Sequence, residues 1–176
     1  HEARTFSSQR LINQYAEAAP PDARTPIILR NTPGTTLFSN LAGGAIRGLK
    51  VVGSKLVAIS GETVFSVTTA GTATSRGTVV PSQPYVDMVA NPSQLLLAAG
   101  TNSYVYDLTA DTVTQITDTD FPGARSALFI DGYGLVAKPG SSQMNLSALN
   151  DFTAWAALDF TTETTSSDNT VAVRDD

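Results

Sequence analysis

The sequence holds no cysteine, and its one histidine is its first residue, His1. These two absences exclude a disulfide framework and cysteine-ligated metal sites. They also leave a zinc site without its usual ligands, exclude cysteine–histidine chemistry, and confine any serine–histidine chemistry to a terminal side chain. No GxxxxGK[ST] phosphate loop occurs. No apolar run approaches the roughly 18 residues of a membrane span, and residues 1–4 lack the apolar stretch of a signal peptide. Lys and Glu are scarce and charged residues make up only 15% of the chain, whereas hydrophobic residues make up 41%. That is enough apolar material to build a core, and too much for a disordered chain. Its 176 residues suit one ordinary domain or part of a larger protein. The richness in Thr, Ser, Gly, Val and Ala favours strands and turns over helices.

The charge that is present is uneven. Residues 1–50 carry six basic and three acidic groups, whereas the rest carries five basic and thirteen acidic ones. Nucleic-acid binding is driven by phosphate neutralisation, so specific DNA binding by the acidic body is not expected. The basic excess of the first segment suits an acidic partner only weakly.

The body contains a repeat. Residues 53–67 (GSKLVAISGETVFSV), 92–108 (PSQLLLAAGTNSYVYDL) and 132–149 (GYGLVAKPGSSQMNLSAL) share one plan. An apolar triplet (Leu56-Val57-Ala58, Leu95-Leu96-Leu97, Leu135-Val136-Ala137) leads to a glycine (Gly61, Gly100, Gly140) and then to a second alternating strand. A strand-like stretch precedes each hairpin and a Thr/Ser-rich one follows, although the third of these, with Ala154, Ala156 and Ala157, is equally compatible with a short helix. Four short strands recurring about every 40 residues is the pattern of a propeller blade. A β-sandwich of about a dozen strands is the rival architecture.

The expected fold is therefore all-β, with β-propeller-like repeats: about three four-stranded blades at 46–84, 85–125 and 126–165. Residues 1–45 form an extended, proline-rich N-terminal arm. Residues 166–176 read as the start of a further repeat, with the chain as part of a longer protein. The first two strands of each unit, the most apolar, are expected where blades press together, and the last at an outer edge.

Candidate chemistry is thin. Asp118 and Asp120 stand two apart before a Pro-Gly turn, as calcium-binding carboxylates can, but the remainder of the EF-hand pattern is missing and a capped turn explains them. Asp87, Asp107 and Asp131 could serve a glycosidase only by converging on one face. Asn145-Leu146-Ser147 matches a glycosylation acceptor within a predicted strand. Tyr104, Tyr106, Tyr133, Phe129 and Trp155 could form a sugar- or base-stacking platform, although aromatics in strands more often serve the core. The glycine-rich 43–48 (GGAIRG) precedes a strand rather than a helix and reads as a turn. No catalytic residue, metal site or cofactor is assigned.

The arm carries the most specific signal. Pro20, Pro21, Pro26 and Pro33 break any helix, yet apolar anchors persist on both sides. The cluster Arg10-Leu11-Ile12-Asn13-x-Tyr15-x-Glu17, the Pro20-Pro21 break, Thr25-Pro26 and Thr32-Pro33-Gly34 resemble the N-terminal segment of the packaged-DNA stabilisation proteins of short-tailed double-stranded-DNA bacteriophages. The resemblance continues through residues 47–49, 117–124 and 131–133, and so covers most of the chain. It implies a β-rich, non-enzymatic tail accessory or tail-hub protein of the virion, made in the host cytoplasm. Such a protein assembles below the portal as a ring, expected to be a hexamer. There it closes the channel on the packaged DNA and meets a portal-side adaptor and the distal tail proteins. Family members are longer than this chain.

The expected interface residues are Arg10, Leu11, Ile12, Asn13, Tyr15, Glu17, Ile27, Ile28, Leu29 and Arg30, lying on a neighbouring subunit or, alternatively, on the chain's own repeats. The alternative function is a propeller-type receptor- or glycan-binding tail protein, which would display its aromatics on one face; a carboxylate glycosidase ranks third.

Overall fold

The computed structural model describes residues 13–164 and 168–174. The chain divides into two compact units, His1–Leu37 and Phe38–Asp176.

In the first unit the arm is extended but pairs with itself. Strand β1 (Gln14–Ala18) runs antiparallel to β2 (Ile27–Asn31), with Tyr15 opposite Arg30 and Glu17 opposite Ile28. Pro20, Pro21 and Pro26 lie in the connection and Pro33 beyond β2, so no proline, which lacks the N–H that a ladder needs, falls within either strand. The Pro20 carbonyl instead accepts from Ala23 N–H and the Pro26 carbonyl from Ala19 N–H, both at 3.0 Å. Asn13, at φ 56°, ends the ladder by accepting from Thr32 N–H. The expected residues Arg10, Leu11 and Ile12 lie outside the described residues.

The second unit is all-β. Sheet one is β3 (Ile46–Val52), β4 (Lys55–Ser60), β5 (Thr63–Val67) and β6 (Ala73–Thr78). Sheet two is β7 (Asp87–Ala90), β8 (Gln94–Ala98), β9 (Tyr104–Asp107) and β10 (Thr112–Gln115). Sheet three is β11 (Ser126–Ile130), β12 (Tyr133–Ala137), β13 (Gln143–Ala148) and β14 (Asp151–Thr162). Each is an antiparallel meander with its strands in chain order. Tight turns make this possible: Asp131 (φ 51°) and Gly132 (φ 87°) close the two-residue hairpin between Ile130 and Tyr133, as an Asp-Gly pair does. The glycine-rich segment before β3 packs on the β4–β5 turn. A Cβ on Gly61 would stand 2.0 Å from the Gly43 carbonyl oxygen, and Ser60 Oγ donates to the Gly44 carbonyl at 2.9 Å. Close approach of two backbones, not phosphate binding, accounts for these glycines.

The sheets stack in sequence order, with sheet two in the middle. Leu95, Leu97 and Ala99 join Val57, Ile59, Val64, Tyr104 and Tyr106 in one core between sheets one and two. Leu96 and Ala98 turn the other way, into a second core with Val105, Ala127, Val136, Phe152 and Trp155. Alternation sends successive side chains to opposite faces. Covering both faces therefore demands the uninterrupted apolar run of β8. Each fully buried leucine stabilises the stack by about 2 kcal/mol.

Two expectations are corrected here. In sheets one and two the most buried strands are the second and third, not the first two: β4, β5, β8 and β9 are largely buried, whereas β3 is mostly exposed. The first strands form the inner edge, β3 beside β7 and β7 beside β11. That position opens one side of each to a cleft, while the second and third strands are covered on both faces. The third apolar triplet is also shifted by one residue. Val136 packs against sheet two as Leu95 and Leu97 pack against sheet one, so the structural match to Leu56-Val57-Ala58 and Leu95-Leu96-Leu97 is Gly134-Leu135-Val136. A one-residue shift inverts every side chain, which places Leu135 on the outward face.

The fourth strands lie at the outer edge, and β6 and β10 are polar and largely exposed. The alanine-containing third segment is strand, not helix; β14 follows β13 through two register shifts. Residues 168–174 carry no strand. They run along sheet three, Thr170 N–H donating to the Ser141 carbonyl at 2.9 Å and Val173 buried beside Ser126.

Candidate assembly surfaces

The arm hairpin presents two faces. Tyr15, Glu17, Ile28 and Arg30 share one; Ala16, Ala18, Ile27 and Leu29 share the other. Glu17 and Arg30 are diagonal neighbours and form an ion pair within the hairpin, so Glu17 has its partner on its own arm. Tyr15 and Leu29 are about half exposed, and Ile27 and Ile28 half-buried. A two-stranded hairpin is marginal by itself in water, and this one leaves Tyr15 and Leu29 about half exposed.

In the second unit the carboxylates are absorbed by structure. Asp118 Oδ1 accepts from Asp120 N–H and Oδ2 from Trp155 N–H, at 2.9 and 3.0 Å. These backbone donors hold its carboxyl below the usual range. The Asp118–Asp120 pair is thus a capped turn that ties the β10–β11 connection to β14. Asp107 caps its own turn through Thr109 and Ala110 N–H, both at 2.8 Å. Asp87 opens β7 while Asp131 lies in the turn at the far end of the neighbouring β11, about five residues or 16 Å along the strand. These three do not converge. Among the described residues no group of three or more His, Asp and Glu side chains could hold a metal ion, and no helix is long and apolar enough to cross a membrane.

Asn145 is buried within β13, so the glycosylation motif is closed to modification there. The aromatics belong to the core: Tyr104, Tyr106, Phe152 and Trp155 are buried, with Phe121 edge-on to Trp155 at 5.0 Å and Phe129 edge-on to Phe152 at 5.8 Å. Of the five aromatics considered for a stacking platform, Tyr133 is the exposed one, at 39%.

Two polar assemblies hold the sheets in register. At the outer rim of the first junction Asp111 accepts from Lys55 Nζ at 2.8 Å, pairs with Arg76 at 2.9 Å, and accepts from the Tyr106 hydroxyl. The hydrogen bonds from Lys55 and Tyr106 lead in drawing the Asp111 carboxyl below its ordinary value. Burial, then the hydrogen bond to Asp111 and that group's charge, pushes the Tyr106 hydroxyl up to about 12. At the second junction Gln94 Nε2 donates to Asp151 at 3.2 Å, while Gln94 Oε1 accepts from Phe152 N–H at 2.8 Å. Sequence reading missed these residues, because neither spacing nor composition pairs Lys55 with Asp111.

The inner edge has its own polar assembly. Asp87 Oδ2 accepts from Ser126 Oγ at 2.8 Å, Ala127 N–H at 3.2 Å and Arg174 at 3.0 Å. Burial raises the Asp87 pKa, but these donors together outweigh it and hold the carboxyl low. Beside this group the first strands form an open cleft of about 370 Å³ that also takes in Lys50 and Phe129.

Among the described residues of the second unit, two sheet faces carry exposed or half-buried apolar side chains. On the free face of sheet one Leu49 and Val51 are exposed, with Phe38 and Ile46 beside them, about a groove that reaches Leu56 and Val67. On the free face of sheet three stand Leu128, Leu135, Met144 and Leu146.

No curated protein matches this sequence. Among solved structures, a chain from a complex of an S. cerevisiae Dbp5 variant with Nup159, a Gle1 variant, IP6 and ADP is similar at 8% identity. The match covers 77% of this chain and 31% of that one, with a TM-score of 0.43. KlHsv2 with loop 6CD replaced by a Gly-Ser linker is similar at 14% identity, over 70% of this chain and 38% of that one, also at 0.43. The chain thus spans about a third of the length of these structures. One family model matches residues 1–176 in full, and it describes bacteriophage P22 Gp10, a β-propeller. With three stacked four-stranded meanders behind that match, the chain belongs to the phage stabilisation family.

Proposed function

We propose that this chain is a structural protein of the phage virion that stabilises packaged DNA as a tail hub or adaptor. In this reading it assembles as a ring below the portal, expected to be sixfold, and closes the channel behind the genome. Its partners are further copies of itself, a portal-side adaptor and the distal tail proteins. The observation that carries the reading is the family match along the whole chain.

The surfaces support it. The body has a net negative charge, which repels the DNA strand and leaves the channel free of adhesive contacts at ejection. The arm hairpin leaves Tyr15 and Leu29 about half exposed, and docking on a neighbouring subunit covers them. Asn13, Tyr15, Glu17, Ile27, Ile28, Leu29 and Arg30, with Arg10, Leu11 and Ile12 before them, form that interface. Glu17 and Arg30 fix the hairpin's shape, rather than reaching across as separate charges. The receptor- or glycan-binding alternative loses its platform, because most of the aromatics it needs are buried between sheets.

The test is DNA retention. Full-length protein, with its adaptor, is added to DNA-filled particles that lack it, and the fraction still full after incubation is counted. Heads that stay full only with the protein support the role; retention unchanged by the protein overturns it.

A further inference from the structure

The outer edges of the three sheets differ in kind. β6 and β10, the fourth strands of sheets one and two, are six and four residues long and mostly polar. β14, the fourth strand of sheet three, runs for twelve residues. As far as Trp155 it serves the second core, whereas every residue from Ala156 to Thr162 is exposed. The register gives the reason. Asn145 of β13 pairs with Phe160 and Ser147 with Trp155, so Ala156, Ala157, Leu158 and Asp159 together oppose the single Leu146. Four residues against one cannot lie flat in a ladder, and the strand bulges there. Leu158 stands on the bulge at 86% exposure, the highest of any large hydrophobic side chain among the described residues, with Phe160 close by in sequence at 44%.

A bulge of this size spoils the edge as a template for another strand, so two β14 edges cannot pair with each other. What it offers is an apolar knob in acidic surroundings: residues 143–170 contain Asp151, Asp159, Glu163 and Asp168 and no Lys or Arg. A partner suited to it presents a shallow apolar surface with basic groups nearby. The arm hairpin has both. Ala16 pairs with Leu29 and Ala18 with Ile27, so one face of the hairpin is wholly apolar, and its two alanines keep that face shallow beside the longer side chains. Ala16, Ala18 and Leu29 are exposed. The Glu17–Arg30 ion pair lies on the opposite face, clear of such a contact. Residues 1–37 carry four arginines against three carboxylates, and Arg24 lies in the exposed connection of the hairpin. The hairpin, marginal alone in water, gains stability from any surface that covers its apolar face.

We infer that the bulge of β14, with Leu158 at its tip, is the docking site for the arm of a second copy of this chain, received on its Ala16–Ala18–Ile27–Leu29 face. The inference rests on the reading of the arm as an inter-subunit element and names the surface that the arm meets. Arm and bulge are different patches, so the contact is head-to-tail: each copy gives its arm to one neighbour and receives an arm from the other. Contacts of that kind close into rings when the rotation between copies allows.

Photo-cross-linking in the full-length protein, assembled with its adaptor, tests this. The photoreactive p-benzoylphenylalanine replaces Leu158, and isotopically heavy and light copies are mixed before assembly. The expected product joins the β14 peptide of one copy to residues 13–31 of the other, heavy to light. Cross-linking to any other segment, or within single copies only, overturns the proposal. The same probe at Leu29 separates two kinds of failure. If Leu29 cross-links to a neighbour elsewhere while Leu158 stays silent, the arm remains an inter-subunit element and this docking site is overturned. If neither cross-links and removal of residues 1–34 leaves the ring intact, the reading of the arm falls as well. Leu158→Asp gives a second measure. Its side chain is exposed, so the thermal midpoint should hold, while the concentration needed for half-assembly should rise about tenfold or more. Assembly at an unchanged concentration overturns the proposal.

Discussion

A Cβ placed on Gly77 would stand 2.9 Å from the Cβ of Val113, so the fourth strands of sheets one and two meet where only glycine fits. Gly77 sits at φ 154°, beside the register shift in β6, and that shift turns Arg76 toward Asp111. Gly77→Ala is expected to cost about 1–3 kcal/mol through overpacking, read as a lower urea midpoint. Val113→Gly in the same chain, which removes that Cβ, should recover part of the overpacking when the two changes are compared in a double-mutant cycle. An unchanged midpoint in Gly77→Ala would mean the rim yields freely.

Asp111→Asn removes the charge on which Lys55, Arg76 and Tyr106 converge. Near neutral pH the expected loss is about 2 kcal/mol, held to that size by the water-exposed Lys55 end of the cluster. Hydrogen bonds from Lys55 and Tyr106 hold the folded Asp111 carboxyl below the ordinary aspartate value. Its contribution is therefore fully present above that value and is lost as the pH falls through the lower, folded pKa. Denaturation curves of the parent and variant should stand apart at pH 7 and converge in strong acid. A gap that persists there would assign the effect to packing.

Leu96→Ala and Leu97→Ala should each cost about 2–5 kcal/mol, but at different junctions. Leu96 shares its core with Trp155, whereas Leu97 belongs to the core on the opposite side of sheet two. Trp155 is the only tryptophan of the sequence. Its emission should shift in Leu96→Ala and hold its position in Leu97→Ala. Equal shifts would contradict the alternation of β8.

Removing residues 1–34 should leave the thermal midpoint of the second unit unchanged while abolishing ring assembly and DNA retention. Reversing the charge of Glu17 or Arg30 alone should weaken retention, and exchanging the two should restore it, because the pair lies within the hairpin. Full retention by the truncated protein would remove the arm from the interface.

The body was readable because its strands bury two faces. The Leu95-Leu96-Leu97 run and the Asp131-Gly132 turn each have one structural solution, and the roughly 40-residue spacing repeats them. The third unit misled by one residue because Gly134 stands where the other units have leucine, and its absent side chain hides the match. It yields its space to Phe152, whose ring atoms would lie 2.7 Å from a Cβ there. The hairpin of the arm was not readable: neither of its faces is buried, so no alternation is imposed on residues 14–18 or 27–31, and only the pairing of Tyr15 with Arg30 and Glu17 with Ile28 reveals it. The rim contacts were invisible for another reason. Lys55 and Asp111 are 56 residues apart, and polar pairs across a junction leave no local pattern.

The stacking of sheets in chain order also bears on how the protein is made. Each four-stranded meander is complete as soon as its fourth strand leaves the ribosome, and the surface it needs has already emerged ahead of it. Sheet two can therefore close over Val57 and Ile59 before Val136 and Phe152 have been synthesised. Folding then proceeds as successive additions to a growing stack. At each step the last sheet exposes an apolar face to solvent, and the interval until the next sheet arrives sets how long the nascent chain is open to aggregation.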